Sequence, residues 1–128
     1  MKQIAITAPF KIEVLDVPKP RPQSDQILTK TLVSGVSIGT ELIDYRGAME
    51  KLPEKWKKVH PYTFPQLPGY ENVGEVVEVG AKVKDLKVGD RVVHCGYHAE
   101  YCIVPRRDAL PVYEKLPDSV SDEDATLS

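Results

Sequence analysis

The sequence predicts an all-β domain, and three observations carry that prediction. Eleven prolines and eight glycines punctuate 128 residues. The apolar runs between them are short and β-type, and nothing in the first 120 residues sustains a helical period beyond about three turns. Seven such runs, each closed by turn chemistry, imply a sandwich or a partly open barrel of one domain.

Candidate strands run from Gln3 to Thr7, Lys11 to Leu15, Gln26 to Ser34, Val73 to Val79, Asp90 to Cys95, Ala99 to Val104 and Ala109 to Val112. One short helix interrupts them. Between Gly39 and Gly47 the spacing of Ile38, Leu42 and Tyr45 sets three apolar groups on one helical face, with Glu41 and Asp44 elsewhere and Gly47 as the stop. Ala48 to Gln66 is proline-spaced and charged, which suits a long surface loop and a candidate flap beside a binding site. Leu116-Pro117-Asp118 then closes the β region. Ser121 offers a helix cap, with an acid three residues on and an acidic first turn before Ala125 and Leu127. These are helix-start signals with no helix after them, so the chain is expected to be cut from a longer protein.

Seventeen basic and nineteen acidic residues give a formal charge of −2 with both signs scattered, which favours neither nucleic acid nor an anionic membrane. The one basic patch, Lys51 to Lys58, reads as a solvated loop anchored by Trp56 rather than as a phosphate grip. Cys95 and Cys102 are too few for a disulfide framework and are expected as reduced thiols, one or both buried. No signal-like or membrane-length apolar run occurs, so a soluble cytoplasmic protein is expected.

The stretch Pro68-Gly69-Tyr70-Glu71-Asn72-Val73-Gly74 runs into a valine-rich strand ending at Gly80. Its glycines suit positive φ or backbones that pack without a Cβ between them. Gly89-Asp90 is a turn pair that launches Arg91-Val92-Val93. His94-Cys95-Gly96-Tyr97-His98 is rich in metal-ligand types, but successive strand positions send His94 and Cys95 to opposite faces, and a structural role is expected for His98.

These markers occur in a fixed order: Gly69-Tyr70-Glu71-x-x-Gly74 with Gly80, then Val88-Gly89-Asp90-Arg91-Val92, then His98-Ala99-Glu100-Tyr101 leading to Val104-Pro105, then Leu116-Pro117-Asp118. In that order they resemble the N-terminal GroES-like catalytic domain of the medium-chain dehydrogenase/reductase superfamily, across essentially all of residues 1–128. The resemblance implies a GroES-like, partly open β-barrel with short helices and a long loop.

Zinc-dependent relatives carry a metal-binding histidine where this chain has Tyr70, and a cysteine where it has Ser37 or Ile38. Thiolate, imidazole and carboxylate are the donors zinc uses. Only Glu71 remains as a good donor here, and the region after Val93 lacks a four-cysteine lobe, so zinc is not expected. Glu41 stands where relatives place a metal-supporting aspartate, and without that histidine it is expected to be solvated or ion-paired. Hydroxyl donors are then the candidates for catalysis. Tyr70 would hydrogen-bond the substrate oxygen, Thr40 and Ser37 would relay a proton, and Glu71 would orient them. The plainer alternatives are that Ser37 caps the short helix and Tyr70 fills a metal-free cavity.

The resemblance implies the substrate-side domain of an NAD(P)-dependent dehydrogenase or reductase acting on a small molecule. No G-x-G-x-x-G lies in the chain, so NAD(P) is expected only with a following Rossmann domain, and this chain alone is expected to be inactive. The full-length protein is open to homo-oligomer formation. The other reading is a stand-alone GroES-like β-barrel interaction module, and fold alone does not separate the two.

Overall fold

The computed structural model describes residues 1–48, 54–57, 63–105 and 113–126. β1 (Lys2–Ala8) and β2 (Lys11–Asp16) form an antiparallel hairpin. β3 (Gln26–Gly35), β4 (Glu71–Val79), β5 (Arg91–His94), β6 (Tyr101–Pro105) and β7 (Tyr113–Lys115) form an antiparallel sheet in the order β6-β3-β4-β5-β7. Two isolated bridges, Gln3 with Ala99 and Ile6 with Gln66, tie the hairpin to the rest without closing the sheets on one another. This is the partly open all-β architecture that the sequence predicts.

Six of the seven expected strands are present, their ends within two residues of expectation. The expected strand from Ala109 to Val112 lies outside the described residues, and β7 begins at Tyr113. The Ala48 to Gln66 flap lies largely outside them too. Within it, α2 (Glu54–Lys57) makes one helical turn where the sequence suggests a loop.

Tertiary burial explains strand positions that do not alternate. Ile27, Leu28 and Thr29 are consecutive in β3 and all inaccessible. The register with β4 slips between Leu28 and Thr29, and such a slip bends a strand so that both of its faces find cover. Ile27, Val76, Val83, Leu86, Val92 and Val104 form the main apolar core. Val83 and Leu86 come from the turn after β4, so that loop is a lid on the core. Asp90 fixes the turn's exit by accepting the Lys87 amide at 3.0 Å. The Lys115 ammonium, 2.8 Å away, holds its carboxyl below the usual range.

The chain end differs from expectation in having a helix, though a short one. α3 (Asp122–Ala125) starts at Ser121, whose hydroxyl accepts the Asp124 amide at 3.1 Å as the sequence signals suggest. Arg91 anchors this segment: its guanidinium donates to the Asp122 carboxylate at 2.5 Å and to the Pro117 and Val120 carbonyls at 3.0 and 2.9 Å. Both cysteines are free, Cys95 exposed and Cys102 buried. Among the described residues no helix is long and apolar enough to cross a membrane.

Candidate functional site

α1 (Ile38–Tyr45) follows β3 directly and lies against the hairpin. Its far end is strapped there: the Phe10 amide donates to the Tyr45 carbonyl at 2.7 Å, and the two rings meet edge to face at 5.5 Å. Gly47, at φ 65°, ends the helix as the sequence predicts. Ile38, Leu42 and Tyr45 line one cleft, as their spacing on one helical face implies. Ile38 is nevertheless 75% exposed, and Glu41 is the buried residue of the helix.

The reason lies on another element. The His98 ring stands beneath α1 with Nε2 at 3.2 Å from both Glu41 carboxylate oxygens and Nδ1 at 2.9 Å from Ser34 Oγ. A carboxylate only accepts, so Nε2 carries the hydrogen toward Glu41, and Nδ1 is left to accept from the Ser34 hydroxyl. This pairing satisfies groups that would otherwise be costly to bury. Glu41 is therefore not solvated but hydrogen-bonded to a buried imidazole. His98 itself is positioned by backbone: its amide donates to the Pro68 carbonyl and its carbonyl accepts the Ile4 amide, at 3.0 and 2.9 Å. Gly69 makes the first contact possible, since at φ 111° a Cβ on it would stand 2.7 Å from the His98 nitrogen.

Two clefts meet at this imidazole. The first, about 330 Å³, runs between the hairpin residues Ile4, Ile6 and Ile12 and the α1 residues Glu41, Leu42 and Tyr45, with Ser37 at its edge and His98 on its floor. The second, about 300 Å³, is lined by Ile4, Val14, Thr31, Ser34 and His98, with Lys2 and Glu100 at the rim. Glu41 belongs to the first and Ser34 to the second.

The four residues expected to carry chemistry are dispersed relative to these clefts. Ser37 is half-buried at the N-cap of α1 and lines the first cleft, but its side chain makes no capping hydrogen bond, contrary to the capping alternative. Thr40 is exposed in the first turn of α1. Tyr70 is 37% exposed just ahead of β4. Glu71 pairs with Gly35, and its Oε2 lies 2.9 Å from where a Cβ on that glycine would be, beside Thr126. Thr40, Tyr70 and Glu71 do not line either cleft.

His94 and Cys95 do face opposite ways, buried and exposed respectively. The His94 ring hydrogen-bonds Thr29 Oγ1 at 3.0 Å, and burial pushes it down to about 4. Among the described residues no three His, Cys, Asp or Glu side chains converge as a metal site. At the positions that the resemblance assigns to zinc ligands this chain presents Ser37 or Ile38, Tyr70 and one carboxylate, Glu71, and neither a hydroxyl nor an alkyl group is a donor of the kind zinc uses.

Sequence reasoning missed the Ser34–His98–Glu41 set. His98 was expected to be structural, and its link to a carboxylate 57 positions away and a hydroxyl 64 positions away has no local signal.

Comparison with known proteins assigns the family. Residues 25–115 match the model for the alcohol dehydrogenase GroES-like domain. The L-threonine 3-dehydrogenase of Pseudoalteromonas translucida is 30% identical over 91% of this chain, which spans 39% of that enzyme's length. The crystal structure of 2R,3R-butanediol dehydrogenase from Bacillus subtilis superposes with a TM-score of 0.75 at 26% identity, covering 98% of this chain and 43% of that one. A quinone oxidoreductase from Pseudomonas syringae gives 0.73 at 26% identity, over 98% of this chain and 36% of its own. With its ordered glycine markers and its two-sheet architecture, the chain belongs to the alcohol dehydrogenase GroES-like domain family.

Proposed function

We propose that this chain is the substrate-side domain of an NAD(P)-dependent medium-chain dehydrogenase or reductase that works without a catalytic zinc. The reaction would pass hydride between nicotinamide and an alcohol, a carbonyl or an activated alkene. The observation that carries this reading is the residue set at positions 37, 70 and 71, in which hydroxyls replace the thiolate and imidazole that zinc requires. The relatives support the chemistry on both sides, since they include alcohol-oxidising dehydrogenases and a quinone oxidoreductase.

A carbonyl that receives hydride develops negative charge on oxygen, and a hydrogen-bond donor must stabilise it and supply a proton. Tyr70 is exposed and has no partner among the described residues, so its hydroxyl is free for a ligand oxygen. Ser37 and Thr40, three residues apart at the start of α1, would offer further hydroxyls for proton passage, and Glu71 would orient them. The cofactor half would follow this domain as a Rossmann unit, consistent with a chain spanning 39% of a relative's length. Alone, residues 1–128 would neither bind NAD(P) tightly nor turn over.

The test is turnover of NADH or NADPH by the full-length protein, with quinones and secondary alcohols as substrates, before and after chelation, together with elemental analysis. Unchanged turnover with less than about 0.1 zinc per chain, and a loss of about tenfold or more in kcat for Tyr70→Phe, are expected. Stoichiometric zinc whose removal abolishes turnover would overturn the zinc-free reading.

A further inference from the structure

We propose that Ser34, His98 and Glu41 form a nucleophilic triad whose reactive group is the Ser34 hydroxyl, open to small activated carboxylic esters through the second cleft. The proposal does not rest on the hydride chemistry above, because it concerns a different set of side chains. It rests on the hydrogen-bond order. Glu41 takes the Nε2 hydrogen of His98 with both oxygens at 3.2 Å, and the bare Nδ1 stands 2.9 Å from Ser34 Oγ. That is the nucleophile–base–carboxylate arrangement that activates a serine, in which the carboxylate fixes the tautomer and steadies the imidazolium.

Position and burial fit the roles. His98 and Glu41 have side chains only 7% and 10% exposed, so the imidazolium–carboxylate pair would form in a medium where its attraction is strong. Ser34 is half-buried and lines the second cleft, where Ile4 and Val14 offer an apolar wall for a short acyl chain. The charged groups at its rim are already engaged and do not compete for His98: Lys2 Nζ is 2.7 Å from Asp16, and Glu100 accepts the Lys2 amide at 2.7 Å.

Ser34 Oγ would attack the ester carbonyl carbon as its proton moves to His98 Nδ1. The tetrahedral adduct then expels the alcohol, which leaves with that same proton. Water repeats the two transfers on the acyl–serine, releasing the acid and restoring both groups. Nearby polar groups are committed elsewhere: the Thr31 hydroxyl donates to the Ala99 carbonyl at 2.6 Å, and the Asn72 amide donates to Thr31 Oγ1 and the Tyr97 carbonyl at 3.2 and 3.1 Å. Stabilisation of the oxyanion is therefore modest, and slow covalent labelling is expected in place of fast turnover.

The experiment treats the full-length protein with a fluorophosphonate probe and, separately, with p-nitrophenyl acetate, and maps adducts by peptide mass spectrometry. The expected result is an adduct on Ser34 forming about tenfold or more faster than on any other serine, and lost when the protein is unfolded in urea. His98→Gln and Glu41→Gln are each expected to slow it about tenfold. Absence of an adduct on Ser34 in the folded wild-type protein overturns the triad whether or not the variants fold. Equal labelling in a folded His98→Gln protein, or equal labelling of Ser34 after unfolding, overturns it as well.

Discussion

Glu41 on α1 and His98 in the loop ahead of β6 meet at 3.2 Å, nine-tenths buried on both sides, between two clefts. The pair ties the helix to the hairpin and the sheet at once. Removing one member leaves the other buried without its partner, which costs more than the pair contributes. Glu41→Ala is accordingly expected to lower stability by about 3 kcal/mol in urea unfolding. Glu41→Gln keeps an acceptor for Nε2 and is expected to cost about 1 kcal/mol. Equal losses for the two variants would show that the carboxylate's hydrogen bond is not what matters.

Stability is expected to fall with acid through His94. Burial holds its imidazole at about 4 against an ordinary value of 6.5, so between those values the unfolded chain takes up a proton that the folded one refuses. Its contribution is fully present above 6.5, declines as pH falls, and is lost by about 4. At 1.36 kcal/mol per pH unit the whole effect is on the order of 3 kcal/mol. Urea midpoints at pH 7 and pH 4.5 should differ more for the wild type than for His94→Gln. Parallel shifts in both proteins would assign the acid sensitivity to other groups.

Gly69 is expected to tolerate no side chain. Its φ of 111° is foreign to L residues, and a Cβ would come within 3.0 Å of Tyr97 backbone atoms as well as meeting the His98 nitrogen. Gly69→Ala should cost about 3 kcal/mol and displace His98 from Ser34 and Glu41. Thermal unfolding gives the first number, and the imidazole proton resonances report the second. A variant of wild-type stability would contradict the backbone geometry at this turn.

Arg91 is expected to hold the chain end. Its three bonds to Asp122, Pro117 and Val120 tie β5 to α3 and to the segment ahead of it. With Arg91→Ala the amides of residues 120–126 should exchange hydrogen about tenfold faster, while those of β3 and β4 keep their protection. Exchange that quickens equally in β3 would mean the residue supports the whole fold.

Much of the fold was legible because strand signals are local. Turn residues, alternation and β-branched runs placed six strands with small errors at their ends. The helix at residue 38 was legible in extent and in its apolar face, but not in which of its residues is buried. Apolar spacing set Ile38, Leu42 and Tyr45 on one face, and they share a cleft, but the burial of Glu41 came from the tertiary structure, which puts an imidazole against it. A buried hydrogen bond to a carboxylate can outweigh one isoleucine's burial, and periodicity does not count such contacts.

By itself the sequence determined the class of the domain and the places where only glycine fits. Each of these depends on what a residue is and on its near neighbours in the chain. Only the tertiary structure decided that Ser34, Glu41 and His98 share one hydrogen-bonded line while Tyr70, Thr40 and Glu71 stand away from the clefts. Side chains up to 64 positions apart are brought together by strand pairing and by the turn at Gly69, and the chain carries no local signal for that distance.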